Sequence, residues 1–207
     1  PGGAVGLGES AALGAVTPFG EETETAAREG ILSVSDPVRG FFAAEKGQEE
    51  IFNKIKDLPN YALLMEQGTG KTKVIIDNFA YLYYKGMVDA ILVIAPNGVH
   101  RNWVSDEIPK HLPEDIKYNS LFWDSGKTST KKFQEKFLDL LNSKELCVLT
   151  TNVESFRVSK SVFSFLTFCK RKNVMMIVDE SARIKNIKAK QTKEIIKLGQ
   201  HAQYKRI

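Results

Sequence analysis

Two short stretches of this chain carry residue types whose chemistry belongs together. The first is Gly68-Thr69-Gly70-Lys71-Thr72, two glycines running into a lysine and a hydroxyl residue. Glycine adopts the backbone conformations that turn successive N–H groups inward around an anion. A lysine directly after such a turn can reach the β- and γ-phosphates of a nucleotide, and a threonine hydroxyl beside it can hold Mg2+. The second stretch is Asp179-Glu180. One carboxylate there can hold the ion through water, and the next can orient or deprotonate a water that attacks a phosphoryl group. On this reading Lys71 and Glu180 are the catalytic candidates. Gly68, Thr69, Gly70, Lys71 and Thr72 form the phosphate cradle, and Thr72 with Asp179 is the candidate metal pair.

Each stretch also has a plainer reading. The glycine turn can simply cap a helix, and an acidic pair after a strand can cap the next one. The complete phosphate-loop pattern asks for a glycine at position 65, where this chain has Met65, so only the GxGKT half is present.

The chemistry requires the two stretches to meet, and the surrounding sequence predicts that they do. Residues 61–65, bounded by Pro59 and Asn60, are a short apolar run suited to a buried parallel strand. After Thr72, the residues Val74, Ile75, Phe79, Leu82 and Tyr83 recur at helical spacing. The glycines therefore lie between strand and helix, where a helix N-terminus adds unpaired donors and the positive end of its dipole. Residues 174–178, VMMIV, form another buried run that ends at Asp179. Further strands are expected over 90–95, 118–123, 146–150 and 204–207. Helices are expected over 45–58, from 97 to before Pro109 or Pro113, over 128–141, around 162–168 and over 191–198. Strand and helix alternate, which predicts an α/β fold with a mostly parallel sheet covered by helices on both faces. Ligands of such sheets bind at the carboxyl ends of the strands, where both stretches fall.

With 207 residues, 43% of them hydrophobic, the chain can bury one sizeable core, and no apolar run is long enough to span a membrane. Residues 1–40 are rich in glycine and alanine with no sustained apolar period and read as a flexible tail; residues 41–207 read as the folded domain. The net charge of +4 hides an acidic beginning and a basic end. From Arg157 onward only Asp179, Glu180 and Glu194 oppose a run of lysines and arginines, which suits either a polyanionic partner or a solvated lysine-rich face. Cys147 and Cys169 are the only cysteines; both sit in apolar segments without metal-ligand spacing and are expected to be reduced core thiols. No signal peptide is visible in these residues, so the expected location is intracellular: the cytoplasm or nucleoid, or the nucleus in a eukaryote.

Four stretches, in order, resemble the first motor lobe of a superfamily-two helicase, closest to the Swi/Snf-like branch of DNA translocases. MEQGTGKT resembles that family's DEMGLGKT, and VDESARIKN its VDEAHRIKN. APNGVHRNW keeps Ala-Pro, five variable residues and Asn-Trp at Ala95, Pro96, Asn102 and Trp103, and LTTNVESF from Leu149 resembles a short Thr-Thr segment. The resemblance covers 45–207 and implies a RecA-like P-loop NTPase lobe that uses ATP and Mg2+ in a motor coupling hydrolysis to movement on DNA. It gives Lys71, Thr72, Asp179 and Glu180 the roles derived above. It also makes Gln48 the adenine-reading glutamine and places duplex-backbone contacts at Pro96, Asn97, Thr150 and Thr151. Trp103 is expected in the core rather than as a stacking platform.

Two departures from the family pattern bear on activity. Ala182 stands where the family has a histidine that couples hydrolysis to movement. The sequence also stops before the Thr-Gly-Thr-Pro segment and the second lobe with its arginine finger, so the fragment alone is expected to be almost inactive. A nucleotide- or nucleic-acid-binding module without turnover is the rival reading; a small P-loop kinase is a third, though no acceptor site suggests it.

Overall fold

The computed structural model describes residues 46–63, 69–180, 184 and 186–207. The tail expected over 1–40, the end of the first strand with Gly68, and Ala182 with its neighbours Ser181, Arg183 and Lys185 lie outside the described residues.

Six strands form one sheet whose pairings are all parallel: β1 Asn60–Tyr61, β2 Ala90–Ala95, β3 Tyr118–Phe122, β4 Leu146–Asn152, β5 Val174–Val178 and β6 Tyr204–Arg206. Their order across the sheet is β1-β6-β5-β2-β4-β3. The apolar runs are continuous rather than alternating because the central strands are buried on both faces. Along β2, Ile91, Val93 and Ala95 join one core cluster while Ala90, Leu92 and Ile94 join the other; β5 divides in the same way, Met175 and Ile177 against Val174, Met176 and Val178.

Helices cover both sides. The first cluster is closed by α1 Lys46–Ile55, α2 Lys71–Tyr84 and the helical stretch from Val99 to His111, through residues such as Phe52, Phe79 and Trp103. The second is closed by α5 Lys131–Asn142, α6 Ser159–Arg171 and α7 Lys190–Gly199, through Phe133, Phe165 and Ile195. Trp123 sits at the centre of that second core, with Phe133, Phe137 and Phe165 packed edge-on against it and its indole N–H donated to Ser161 Oγ at 3.1 Å. Both cysteines are buried core thiols, and burial pushes Cys169 up to about 12, where it is unreactive.

The element boundaries differ from expectation in instructive ways. β4 runs two residues further than the sequence suggests, to Asn152, because Thr150 and Thr151 are β-branched and pair with Val93 and Ile94 of β2. Asn152 then accepts from the Ser155 N–H at 2.9 Å and starts a 3-10 turn, Val153–Arg157. The stretch after β2 is not one regular helix. It comprises α3 Val99–Asn102, a π turn Trp103–Glu107 and α4 Ile108–His111. Pro109 explains the wider turn: it has no N–H to donate to Ser105, and its ring would strike that carbonyl in a regular α-helix. The Ile108 N–H instead bonds five residues back, to the Trp103 carbonyl.

One buried cation ties the loop-bearing side of the sheet together. Arg206 on β6 is fully buried, and all of its donor groups are used. Nε donates to Asn78 Oδ1 of α2, Nη1 to the carbonyls of Pro59 and Lys205, and Nη2 to those of Ile55 and Leu58 at the end of α1. Carbonyls at a helix C-terminus carry partial negative charge and suit a guanidinium. Asn78 completes the arrangement by donating its amide to the Lys56 carbonyl at 3.0 Å.

Candidate nucleotide site

The register of the sheet brings the two chemical stretches to one edge. Tyr61 of β1 is level with Arg206 of β6, which is level with Ile177 of β5. Two residues beyond Tyr61 comes Leu63, whose N–H still bonds the Ile207 carbonyl at 2.7 Å; two residues beyond Ile177 comes Asp179. The chain thus leaves β1 for the glycine turn at the height where β5 delivers its carboxylates, with one strand between them. That separation is two strand spacings, about 10 Å.

Gly70 is the N-cap of α2 and has φ 78, ψ 27, a left-handed conformation that glycine adopts without steric cost. Having no side chain, it contributes none to cap the helix, and the first turn of α2 holds no acidic residue. The first N–H groups of α2 and the positive end of its dipole lie at this turn, an arrangement that suits an anion. The plainer reading is also true, since Gly70 does begin the helix. Lys71 and Thr72 are the first two helical residues and are both half-buried. Lys73 is engaged elsewhere, in an ion pair at 2.7 Å with the buried carboxylate of Asp77.

Gln48 reaches this turn from α1. Its side-chain amide donates to the Thr69 carbonyl at 3.2 Å, and a Cβ added at Gly70 would lie 2.5 Å from its Nε2. Glycine suits position 70 for its backbone conformation, and a side chain there would also push the end of Gln48 aside.

Across the edge, Asp179 is half-buried and Glu180 exposed. The Asp179 N–H continues the ladder to the Ile94 carbonyl at 2.8 Å, and its Oδ2 accepts a hydrogen bond from Trp103 Nε1 at 3.0 Å. Glu180 has φ 52, the only positive φ of a non-glycine residue among the described residues. Such conformations are uncommon outside glycine and concentrate at functional turns. Among the described residues Ile184 lies in a 3-10 turn, and the next α-helix, α7, begins at Lys190.

The donor set suits magnesium. Among the described residues no group of three or more His, Cys, Asp or Glu could hold a metal. Mg2+ takes one or two protein oxygens and completes its shell with phosphates and water, so a donor set of one aspartate and one threonine hydroxyl fits it, whereas a structural zinc site would need a closed protein shell.

The residues expected at DNA are not all placed alike. Asn97 is exposed at the end of β2. Pro96 is buried, with its carbonyl accepting the His100 N–H at 3.2 Å. Thr150 and Thr151 are fully buried inside β4; the Thr150 hydroxyl has no hydrogen-bond partner, and that of Thr151 turns to the Asn152 carbonyl at 3.4 Å. The strand extends through both threonines, and their side chains are buried. What the sequence did not reveal is the bond from Trp103 to Asp179, since nothing in Asn-Trp says where the indole N–H will point.

No helix among the described residues is long and apolar enough to cross a membrane. Residues 51–204 match the family model described as SNF2-related domain. No curated protein matches the chain.

Proposed function

The chain belongs to the SNF2-related domain family, a family of ATP-dependent helicase- and translocase-type motors, and from that premise we propose that it is the ATP-binding lobe of a motor that moves on DNA. The observation that supports this reading is the shared register of β1, β6 and β5, by which β1, leading toward the glycine turn, and β5, leading to Asp179, end at one height on one sheet edge.

In this reading the turn amides and the N-terminus of α2 receive the phosphates, and Lys71 lies against the β- and γ-phosphates. Thr72 and Asp179 hold Mg2+, which when bound neutralises charge on the phosphate oxygens. Glu180 orients the attacking water and takes its proton. Gln48, held against the turn, reads the adenine. DNA runs past the carboxyl ends of β2 and β4, touched at Asn97 and by main-chain groups through its phosphates, so binding weakens with salt and is nearly independent of sequence. The charge that develops on the transferred phosphoryl group needs an arginine, which we assign to a second lobe; such a residue is worth about 10³ to 10⁵ in rate.

The test is phosphate release by the 207-residue chain alone and by the chain joined to a second lobe, each with and without duplex DNA. The chain alone should hydrolyse ATP near background. The joined protein should be stimulated by DNA, and Glu180→Gln should abolish that stimulation. Robust DNA-stimulated hydrolysis by the chain alone contradicts the need for a second lobe, and a joined protein indifferent to Glu180→Gln contradicts the assigned chemistry.

A further inference from the structure

Trp103 is 2% exposed and belongs to the first core cluster, yet the bond of its indole N–H is made outside that cluster. The indole N–H points to Asp179 Oδ2 at 3.0 Å, across 76 residues of sequence. A buried tryptophan ordinarily finds some acceptor for its N–H. Here the acceptor is the half-buried carboxylate at the exit of β5. A second observation concerns the helix that carries the ring. It changes its winding at Trp103, where the π turn over Trp103–Glu107 begins, with the Ile108 N–H bonded to the Trp103 carbonyl. Inserting a π turn rotates the residues around it relative to a regular helix, and such turns are frequent at functional sites. Pro109 makes the regular winding unavailable, so the displaced position of Trp103 is built into the sequence.

We propose that Trp103 is a positioning residue for magnesium. Its N–H fixes the plane of the Asp179 carboxylate through Oδ2 and leaves Oδ1 to face the ion and its waters. This rests on the assignment of Asp179 as the magnesium-holding carboxylate. Groups that orient a metal-binding side chain change metal affinity about 10- to 100-fold when removed. Trp103→Phe keeps an aromatic ring in the core and deletes the donor. It should raise the Mg2+ concentration needed to support ATP binding by about tenfold or more, while ATP binding in EDTA stays within about twofold of the parent.

The experiment titrates Mg2+ against a fluorescent ATP analogue for the parent and for Trp103→Phe, with the EDTA series beside it. In parallel, the chain labelled with 15N in the indole ring is titrated with ATP and Mg2+. Trp103 and Trp123 are the only two tryptophans, and Trp123, donated to Ser161 in the other core, is the internal control. The Trp103 resonance should move with Mg·ATP and the Trp123 resonance should not. A Mg2+-dependent parent with an unchanged Trp103→Phe overturns the positioning role alone. A parent with no Mg2+ dependence overturns it together with the site assignment beneath it. Should Trp103→Phe fail to fold, the parent's own spectrum decides: a Trp103 resonance indifferent to Mg·ATP overturns the proposal, and a selective shift supports it.

Discussion

Replacing Arg206 by methionine removes a guanidinium that donates to five acceptors on three stretches of chain: Ile55, Leu58 and Pro59 from the end of α1 to the start of β1, Asn78 on α2 and Lys205 beside it on β6. At a net contribution of about 1 kcal/mol each, these bonds amount to roughly 5 kcal/mol. Against this stands the cost of burying the charge, since no carboxylate pairs with Arg206 among the described residues and burial pulls its pKa down to about 10. Methionine avoids that cost but takes one hydrogen bond from each of five acceptors, of which the Ile55 and Pro59 carbonyls keep the N–H groups of Leu58 and Lys205. We expect a net loss of about 3 kcal/mol, or about 6–12 °C in Tm for a chain of this size. The assay is urea unfolding followed by circular dichroism, reading a fall in the midpoint at unchanged slope. Arg206→Lys separates charge from geometry. An ammonium keeps the charge but presents its donors from one point and cannot span acceptors on separate elements, so it should recover less than half of the loss. A loss under about 1 kcal/mol for methionine, or full recovery by lysine, would refute the claim that the fork holds α1, α2 and β6 together.

Two further outcomes follow from single contacts. Gly70→Ala forces a side chain into a left-handed conformation and against Gln48, so it should cost about 1–2 kcal/mol for the backbone alone and more with Gln48 in place; a double-mutant cycle with Gln48→Ala should show coupling of about 1 kcal/mol, and additivity would contradict the contact. His100 is buried, and burial holds its pKa below the ordinary histidine value. The unfolded chain therefore takes up this proton first as pH falls through about 6.5, and its contribution to stability is lost on the acid side. His100→Gln should flatten the fall in Tm between pH 7 and pH 5 relative to the parent, and an identical slope would contradict it.

Much of the fold was legible because its signals are local and repeated. The runs at Ala90–Ala95 and Val174–Val178 are apolar throughout, which a doubly covered parallel strand requires, and the acidic pair follows such a run; the strand before the glycine turn is instead a short, part-exposed edge strand, Asn60–Tyr61. Boundaries were less legible where a residue's type fits two structures. Thr150 and Thr151 carry polar hydroxyls that suggest a strand end, yet their β-branching and their pairing with Val93 and Ile94 keep them inside β4. Of the two stops expected, Pro109 and Pro113, the helical stretch passes the first by widening to a π turn and ends at His111, before the second. Long-range polar contacts were not legible at all. Arg206 and Asn78 lie 128 residues apart, Trp103 and Asp179 lie 76 apart, and no local pattern pairs them.

The central claim is that the glycine turn and Asp179 form one Mg·ATP site, and titration of a fluorescent ATP analogue with and without Mg2+ tests it most directly. The 207-residue chain should bind the analogue more tightly with Mg2+ than in EDTA, Lys71→Ala should bind at least about tenfold more weakly, consistent with the loss of a charged contact of about 1.5–3 kcal/mol, and Asp179→Ala should lose the Mg2+ dependence. A parent indifferent to Mg2+, or a Lys71→Ala variant that binds as well as the parent, would contradict the account.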